Sequence, residues 1–169
     1  MTLRVVVVDD HPLYREGLVT AMAAMPGVEV VGEAEDGERA VALAAELVPD
    51  IVVMDLHMPR LNGIDATRRI SAAQPSVAVL VLTMLEGDDS VFAAVRAGAR
   101  GYLLKGAGRA EIARALDGVG HGEVVFSSGI ASRVLAFFAA GPGASGAALD
   151  PFPGLTDGSG RSWTWWRAG

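Results

Sequence analysis

The chain has 169 residues, 51% of them hydrophobic, with 14 Lys and Arg against 20 Asp and Glu. Its length suits one ordinary domain with an appendage, and its acidic balance excludes the basic surface that binds a phosphate backbone. The absence of cysteine excludes disulfides and thiolate metal sites. No apolar run approaches the length of a membrane-spanning helix and the N-terminus lacks a signal-peptide pattern, so we expect a cytoplasmic protein with no membrane partner.

Short apolar runs recur along the chain at spacings of roughly 20 to 30 residues, and stretches with helical periodicity lie between them. Three of the runs are almost continuous Val, Ile and Leu, which is typical of parallel strands covered by helices on both faces. The pattern predicts an α/β fold, a (βα)₅ doubly wound parallel five-stranded sheet over residues 1–122. The five runs are "LRVVVV", "VEVVGEA", "DIVVMDL", "VAVLVLTM" and "RGYLLK".

The sequence after residue 122 changes in character twice. The amphipathic stretch "SSGIASRVLAFFAA" predicts a helical extension over 123–140. Gly, Ala and Pro then dominate residues 141–155, which indicates a linker.

Polar residues follow four of the predicted strands. Asp9 and Asp10 end the first strand, Asp55 ends the third, Thr83 the fourth and Lys105 the fifth. The carboxyl ends of parallel strands meet at one edge of the sheet, where α/β proteins bind their ligands. We therefore expect these five side chains to converge.

Three converging carboxylates repel one another unless a cation neutralises them. An oxygen-only cluster suits a hard ion, and Mg²⁺ is the expected cofactor. A carboxylate beside Mg²⁺, with a hydroxyl and an ammonium nearby, can attack a phosphoryl group. Lys105 is the only lysine among the 14 basic residues, and a compact charge on a flexible stem suits a phosphoryl group.

The phrases "VVVVDDHPLYREGL", "DIVVMDLHMPRLNGIDA", "VLVLTM" and "GYLLKG" resemble the signatures of bacterial two-component response-regulator receiver domains. The resemblance is to the subfamily with a LuxR-type (NarL/FixJ-like) helix-turn-helix effector and covers residues 3–122. It implies a flavodoxin-like receiver fold and a phosphorelay in which a sensor histidine kinase is the partner.

The resemblance also implies a role for each matching residue. Asp55 would be the phosphoacceptor, and Asp10 and Asp55 would hold Mg²⁺ with the backbone carbonyl of His57. Asp9 would act on the metal mainly through water. The side chains of His11 and His57 are interpreted as ordinary surface groups.

Further residues would transmit the signal. The resemblance implies that Thr83 binds a phosphoryl oxygen, that Lys105 pairs with the phosphoryl group, and that Tyr102 changes rotamer. The face at about residues 88–118 would then change and could form a homodimer. Gly106 stands where many receivers have a cis proline, and a trans bond is expected here because a non-proline cis bond costs about 3 kcal/mol.

Other functions remain open beside a receiver that catalyses its own phosphorylation and autodephosphorylation. One is a phosphorylation-independent interaction module with the same fold. Another is an aspartyl-phosphate phosphatase, although haloacid-dehalogenase enzymes carry Asp-x-Asp on the first strand, where this chain has Asp-Asp-His.

The last residues, 156–169, contain all three tryptophans, Trp163, Trp165 and Trp166. "GLTD" begins like the opening of a LuxR-type effector domain, and the composition then changes abruptly. Restoring one base after Asp157 yields a string with helical periodicity and a capping box. We interpret 156–169 as a frameshifted or truncated remnant of a helix-turn-helix domain, with a cloning remnant as the alternative. On this interpretation, DNA binding belongs to an intact parent and not to this chain.

Overall fold

The computed structural model describes residues 1–84 and 87–140. Strands and helices alternate throughout this part of the chain, which confirms the predicted α/β class. In chain order the elements are β1 (Leu3–Val8), α1 (Pro12–Ala23), β2 (Val28–Ala34), α2 (Gly37–Leu47), β3 (Ile51–Met54), α3 (Gly63–Ala73), β4 (Ala78–Thr83), α4 (Asp88–Ala97), β5 (Gly101–Leu104), α5 (Arg109–Gly120), β6 (Val125–Phe126) and α6 (Ser128–Ala140).

The strands form one parallel sheet in the order β2-β1-β3-β4-β5-β6. The register places Met54 of β3 opposite Val8 of β1, so the two strands end level with each other. The backbone N–H of Asp55 then donates to the carbonyl of Val8 at 3.0 Å. This alignment brings the residues that follow β1 and β3 to the same point of the sheet edge.

Helices cover the sheet on both faces. On one face, α1 and α5 contribute Leu18, Met22 and Leu116 to a core with alternate residues of β1. On the other, α2, α3 and α4 pack against the remaining strand residues. Every residue of β3 and β4 is buried, as the nearly continuous apolar runs predicted.

The sheet has six strands among the described residues, whereas the sequence predicted five. Val125 and Phe126 form β6, opposite Gly101 and Tyr102 of β5. Gly122, with φ +86°, lies in the turn between α5 and β6, a backbone region that glycine enters without steric cost. A two-residue strand is too short to show a hydrophobic period, so the pattern gave no signal for it.

The predicted extension over 123–140 contains β6 followed by α6. The chain divides into two compact units, and the first comprises Met1–Ala136. Within this unit Ile130 of α6 is 1% exposed and belongs to the core, whereas Leu135 is 69% exposed. The predicted linker at 141–155 and the tryptophan-rich residues 156–169 lie outside the described residues.

Two sequence expectations concern the backbone and the membrane. Every peptide bond of the described residues is trans, including the bond between Lys105 and Gly106. Within the same residues, the helices are too short or too polar to cross a bilayer.

Candidate functional site

An ion triad lies at the carboxyl edge of the sheet, formed by Asp9, Asp55 and Lys105. The Nζ of Lys105 lies 2.6 Å from Oδ2 of Asp9 and 3.3 Å from Oδ2 of Asp55. All three side chains are buried, with no more than 6% exposed. Lys105 therefore screens two carboxylates that burial and mutual repulsion would otherwise disfavour.

The surroundings of Lys105 hold it in place. Its Nζ lies 4.4 Å from the centre of the Tyr14 ring, a cation–π contact, and its backbone N–H donates to the carbonyl of Thr83 at 2.9 Å. Burial opposes the charged form, but the hydrogen bond with Asp9 and the charges of Asp55 and Asp9 outweigh it. The pKa of Lys105 is therefore raised, and the amine stays an ammonium.

Asp10 completes a cluster of possible metal ligands. One ligand atom each from Asp9, Asp10, His11 and Asp55 lies within 4.8 Å of the others. Oδ1 of Asp10 is buried and accepts no hydrogen bond from the described residues. Nδ1 of the exposed His11 lies 3.0 Å from this oxygen without a hydrogen bond, so the oxygen keeps the capacity to bind a hard divalent cation beside the two further carboxylates.

The other carboxylate oxygens are more fully engaged. Oδ1 of Asp55 accepts the N–H of Leu56 at 2.8 Å, and Oδ1 of Asp9 accepts the N–H of His11 at 2.8 Å. With Oδ2 on Lys105, Asp9 has a protein partner on each oxygen. Among the three acids, Asp10 has the most capacity left for a cation.

His11 is closer to the acids than the sequence analysis expected. Its side chain is 68% exposed, in agreement with a surface position, but Nδ1 lies 3.2 Å from Asp9 and 3.0 Å from Asp10. The backbone N–H of His11 also donates to Oδ1 of Asp9 at 2.8 Å, and this local contact keeps the ring beside the two acids that precede it. Pro12 begins α1 immediately afterwards, which fixes this turn.

The remaining predicted residues lie around the cluster. Thr83 ends β4 and is 1% exposed, and Tyr102 of β5 is fully buried. Burial, together with the charge of Asp55, raises the pKa of Tyr102 to about 12. The electrostatic effect of Asp55 on Tyr102 places the tyrosine in the field of the acidic site.

A cleft of about 700 Å³ opens beside the acids, and Asp10, His57, Met58 and Ser90 are among the residues that line it. The cleft connects the β3–α3 loop with α4. Of the acid cluster, Asp10 lines this cleft, which opens the site to solvent from this side.

Comparison with known proteins identifies the family of this chain. A family profile described as "Response regulator receiver domain" matches residues 5–117. The chain belongs to this family. Its sheet and helices form the flavodoxin-like receiver fold, and the family membership favours a receiver over the phosphatase considered from the sequence.

The receiver is similar to regulators of known name. The transcriptional regulatory protein LiaR of Bacillus subtilis is 43% identical over 133 residues, which are 79% of this chain and 63% of LiaR. A solved two-component response regulator of the LuxR family, from an Aurantimonas species, has a TM-score of 0.78 at 38% identity. The match covers 82% of this chain and 99% of that one.

A further solved structure is the isolated receiver domain of RcsB from Salmonella enterica serovar Typhimurium with the phosphomimetic BeF₃⁻. It has a TM-score of 0.71 at 25% identity, and the match covers 79% of this chain and 99% of that one.

Proposed function

We propose that this receiver accepts a phosphoryl group on Asp55 from the phosphohistidine of a sensor histidine kinase. The ion triad beside Asp10, whose Oδ1 accepts no hydrogen bond from the described residues and has the exposed His11 ring 3.0 Å away, is the observation that carries the proposal. It combines a buried nucleophile, a fixed ammonium and cation-binding capacity at one accessible edge of the sheet. The presence of BeF₃⁻ in the RcsB structure supports the same chemistry by analogy.

Mg²⁺ is the cofactor that these residues fit. We propose that Asp10, Asp55 and the backbone carbonyl of His57 hold it, with Asp9 acting through water because Lys105 and the His11 N–H already engage its oxygens. When bound, Mg²⁺ neutralises the carboxylates and the charge on the transferred phosphoryl oxygens.

In the proposed step, a carboxylate oxygen of Asp55 attacks the phosphorus of the donor. The bond from phosphorus to the donor imidazole nitrogen breaks, and this nitrogen keeps the electron pair and takes up a proton from solvent. Lys105 has three N–H donors, so it can bind a phosphoryl oxygen and keep its contact with Asp9. Water later hydrolyses the acyl phosphate, so the chain modifies itself and releases phosphate.

The phosphoryl group would act on the α4–β5–α5 face at about residues 88–118. We propose that Thr83 binds a phosphoryl oxygen and that Tyr102 responds, because β4 and β5 are neighbouring strands with Thr83 opposite Leu104. Rearrangement of this face could then create a homodimer. The start of α4 on this face already has a neighbour, since Nε of Arg133 of α6 lies 3.6 Å from Oδ1 of Asp88.

Control of transcription is proposed only for a whole regulator of which a receiver is the regulatory part. LiaR carries this role in its name, and the chain spans 63% of LiaR's length. A phosphorylation-independent interaction module with the receiver fold is the second candidate, because an inert receiver could keep the same five strand-end residues.

Chemical-shift mapping by NMR with BeF₃⁻ and Mg²⁺ tests the proposal. We expect Mg²⁺ alone to shift the amides of Asp10, Asp55 and Leu56, and BeF₃⁻ with Mg²⁺ to add shifts at the amides of Thr83 and Lys105. The added shifts should be absent when Asp55→Asn is treated in the same way. Unchanged spectra in the wild-type protein would contradict the phosphoacceptor role and leave the interaction module.

A further inference from the structure

The β3–α3 loop, residues 56–62, is fastened at its tip to the start of α2. The guanidinium of Arg60 lies 2.5 Å from Oδ2 of Asp36, and the N–H of Gly37 donates to the carbonyl of Leu61 at 3.1 Å. We call this pair of contacts the loop latch. Asp36 also caps α2, since its Oδ1 accepts the N–H of Arg39 at 2.8 Å.

The latch differs from an ordinary surface ion pair in two ways. Asp36 is 2% exposed, so its charge depends on the partners that the fold provides, although the Arg60 side chain itself is 63% exposed. The backbone N–H of Arg39, opposed by burial and assisted by Arg60, holds the pKa of Asp36 below its usual range. Arg60 itself has φ +67°, a left-handed conformation that non-glycine residues adopt only when their surroundings require it.

The loop and α2 are in close backbone contact at the same place. A Cβ added to Gly37 would lie 2.1 Å from the carbonyl oxygen of Leu61, so the two segments approach as closely as glycine allows. The side chain of Leu61 is buried in the core and holds this end of the loop against it. The ion pair between Arg60 and Asp36 therefore adds a second fixed point to the loop, at the residue before Leu61.

The other end of the loop is part of the acid site. The N–H of Leu56 donates to Oδ1 of Asp55, and the N–H of Gly63 donates to the carbonyl of Leu56 at 3.0 Å. His57, whose carbonyl is assigned to Mg²⁺ above, lies between this base and the latch. The conformation of residues 57–59 is thus determined by fixed points on both sides.

We propose that Arg60 is a positioning residue for the Mg²⁺ site. Through its ion pair with Asp36 it holds the β3–α3 loop in the conformation that presents the His57 carbonyl to the cation. This inference rests on the proposed function. Arg60 touches none of the acids of the cluster, and nothing in its own chemistry binds a cation.

The sign of the expected effect separates positioning from simple electrostatics. Arg60 is a positive charge on the loop that carries His57, so removing it should tighten Mg²⁺ binding if charge alone mattered. The latch predicts the opposite, because a loosened loop must be ordered again when the cation binds. Partners outside the ligand set commonly change metal affinity about 10-fold or more, and we expect at least about threefold here because the latch acts through the backbone.

Mg²⁺ titration of the full chain, followed by the amide shifts of Asp10 and Leu56 in NMR spectra, tests the proposal. Arg60→Gly keeps the left-handed backbone accessible and removes the whole side chain with its guanidinium, so it should fold and bind Mg²⁺ more weakly. Arg60→Lys should recover part of the affinity. Arg39→Ala is the matched control, because it removes an equal positive charge from the start of α2 beside Asp36 and leaves the hydrogen bond from its own backbone N–H to Asp36 intact.

The outcomes are distinct. Weaker binding in Arg60→Gly, with Arg39→Ala at or above the wild-type affinity, supports positioning. Equal or tighter binding in Arg60→Gly, while the wild type binds Mg²⁺, overturns the positioning role and leaves the proposed function standing. A wild-type protein that binds no Mg²⁺ at these amides overturns both.

Discussion

Lys105 Nζ lies 2.6 Å from Oδ2 of Asp9, a contact between a residue after β5 and one after β1. These strands are not neighbours, since β3 and β4 lie between them in the sheet. The long stem of lysine crosses this distance and brings a charge to the centre of the acid site. The ion pair therefore links the ends of β1 and β5 across the carboxyl edge of the sheet.

Replacing Lys105 with Met keeps the apolar stem and removes the charge. We expect the free energy of unfolding at neutral pH to fall by about 3 kcal/mol, because Asp9 and Asp55 are left buried without their counter-ion. Addition of Mg²⁺ should restore part of the loss, because the ion binds only the folded cluster. Urea unfolding with and without Mg²⁺ measures both effects, and a variant as stable as the wild type would argue against a stabilising triad.

Gly63 begins α3 against the backbone of the nucleophile. A Cβ there would lie 2.0 Å from the carbonyl oxygen of Asp55, so Gly63→Ala must displace backbone at the site. We expect a loss of stability of about 3 kcal/mol. Gly17→Ala is the matched control, because nothing lies within 4 Å of a Cβ at this helical position, and it should raise stability by about 0.5–1 kcal/mol. Equal effects of the two substitutions in thermal unfolding would refute the close approach.

Ile130 anchors α6 to the receiver core. Truncation to Ala should cost about 3 kcal/mol, because the side chain is 1% exposed and leaves a cavity. Leu135→Ala in the same helix should change stability by less than about 0.5 kcal/mol, because that side chain is 69% exposed. Chemical denaturation of both variants measures the two losses of stability. If α6 did not pack against the core, both losses would be equally small.

Tyr102 provides a prediction for alkaline pH. Its pKa of about 12 in the folded protein lies above the ordinary value of about 10, so the folded state keeps the proton that the unfolded state releases. Stability from this group is complete below about pH 10 and is lost as the pH rises toward 12. Tyrosinate absorbance should therefore appear later in native protein than in protein unfolded by guanidinium, and Tyr102→Phe should show a smaller difference. Coincident titration curves would contradict the burial of Tyr102.

The sequence predicted much of this molecule because its strongest signals are local. The continuous apolar residues of β3 predicted the parallel sheet. The single lysine at the end of β5 predicted that a positive charge would join the acids at the edge of that sheet. Strand β6 was not predicted, because a run of two residues shows no hydrophobic periodicity and the strand forms by pairing with β5. The Asp36–Arg60 contact was not predicted for a similar reason, since its partners are 24 residues apart in the sequence and only the fold brings them together.

Intact-mass spectrometry shows whether Asp55 accepts a phosphoryl group. The purified chain is incubated with acetyl phosphate and Mg²⁺, and its mass is compared with that of Asp55→Asn treated in the same way. We predict a gain of one phosphoryl group in the wild-type protein, lost when Mg²⁺ is chelated beforehand and absent in the variant. An unchanged wild-type mass, or an equal gain in Asp55→Asn, would contradict the account.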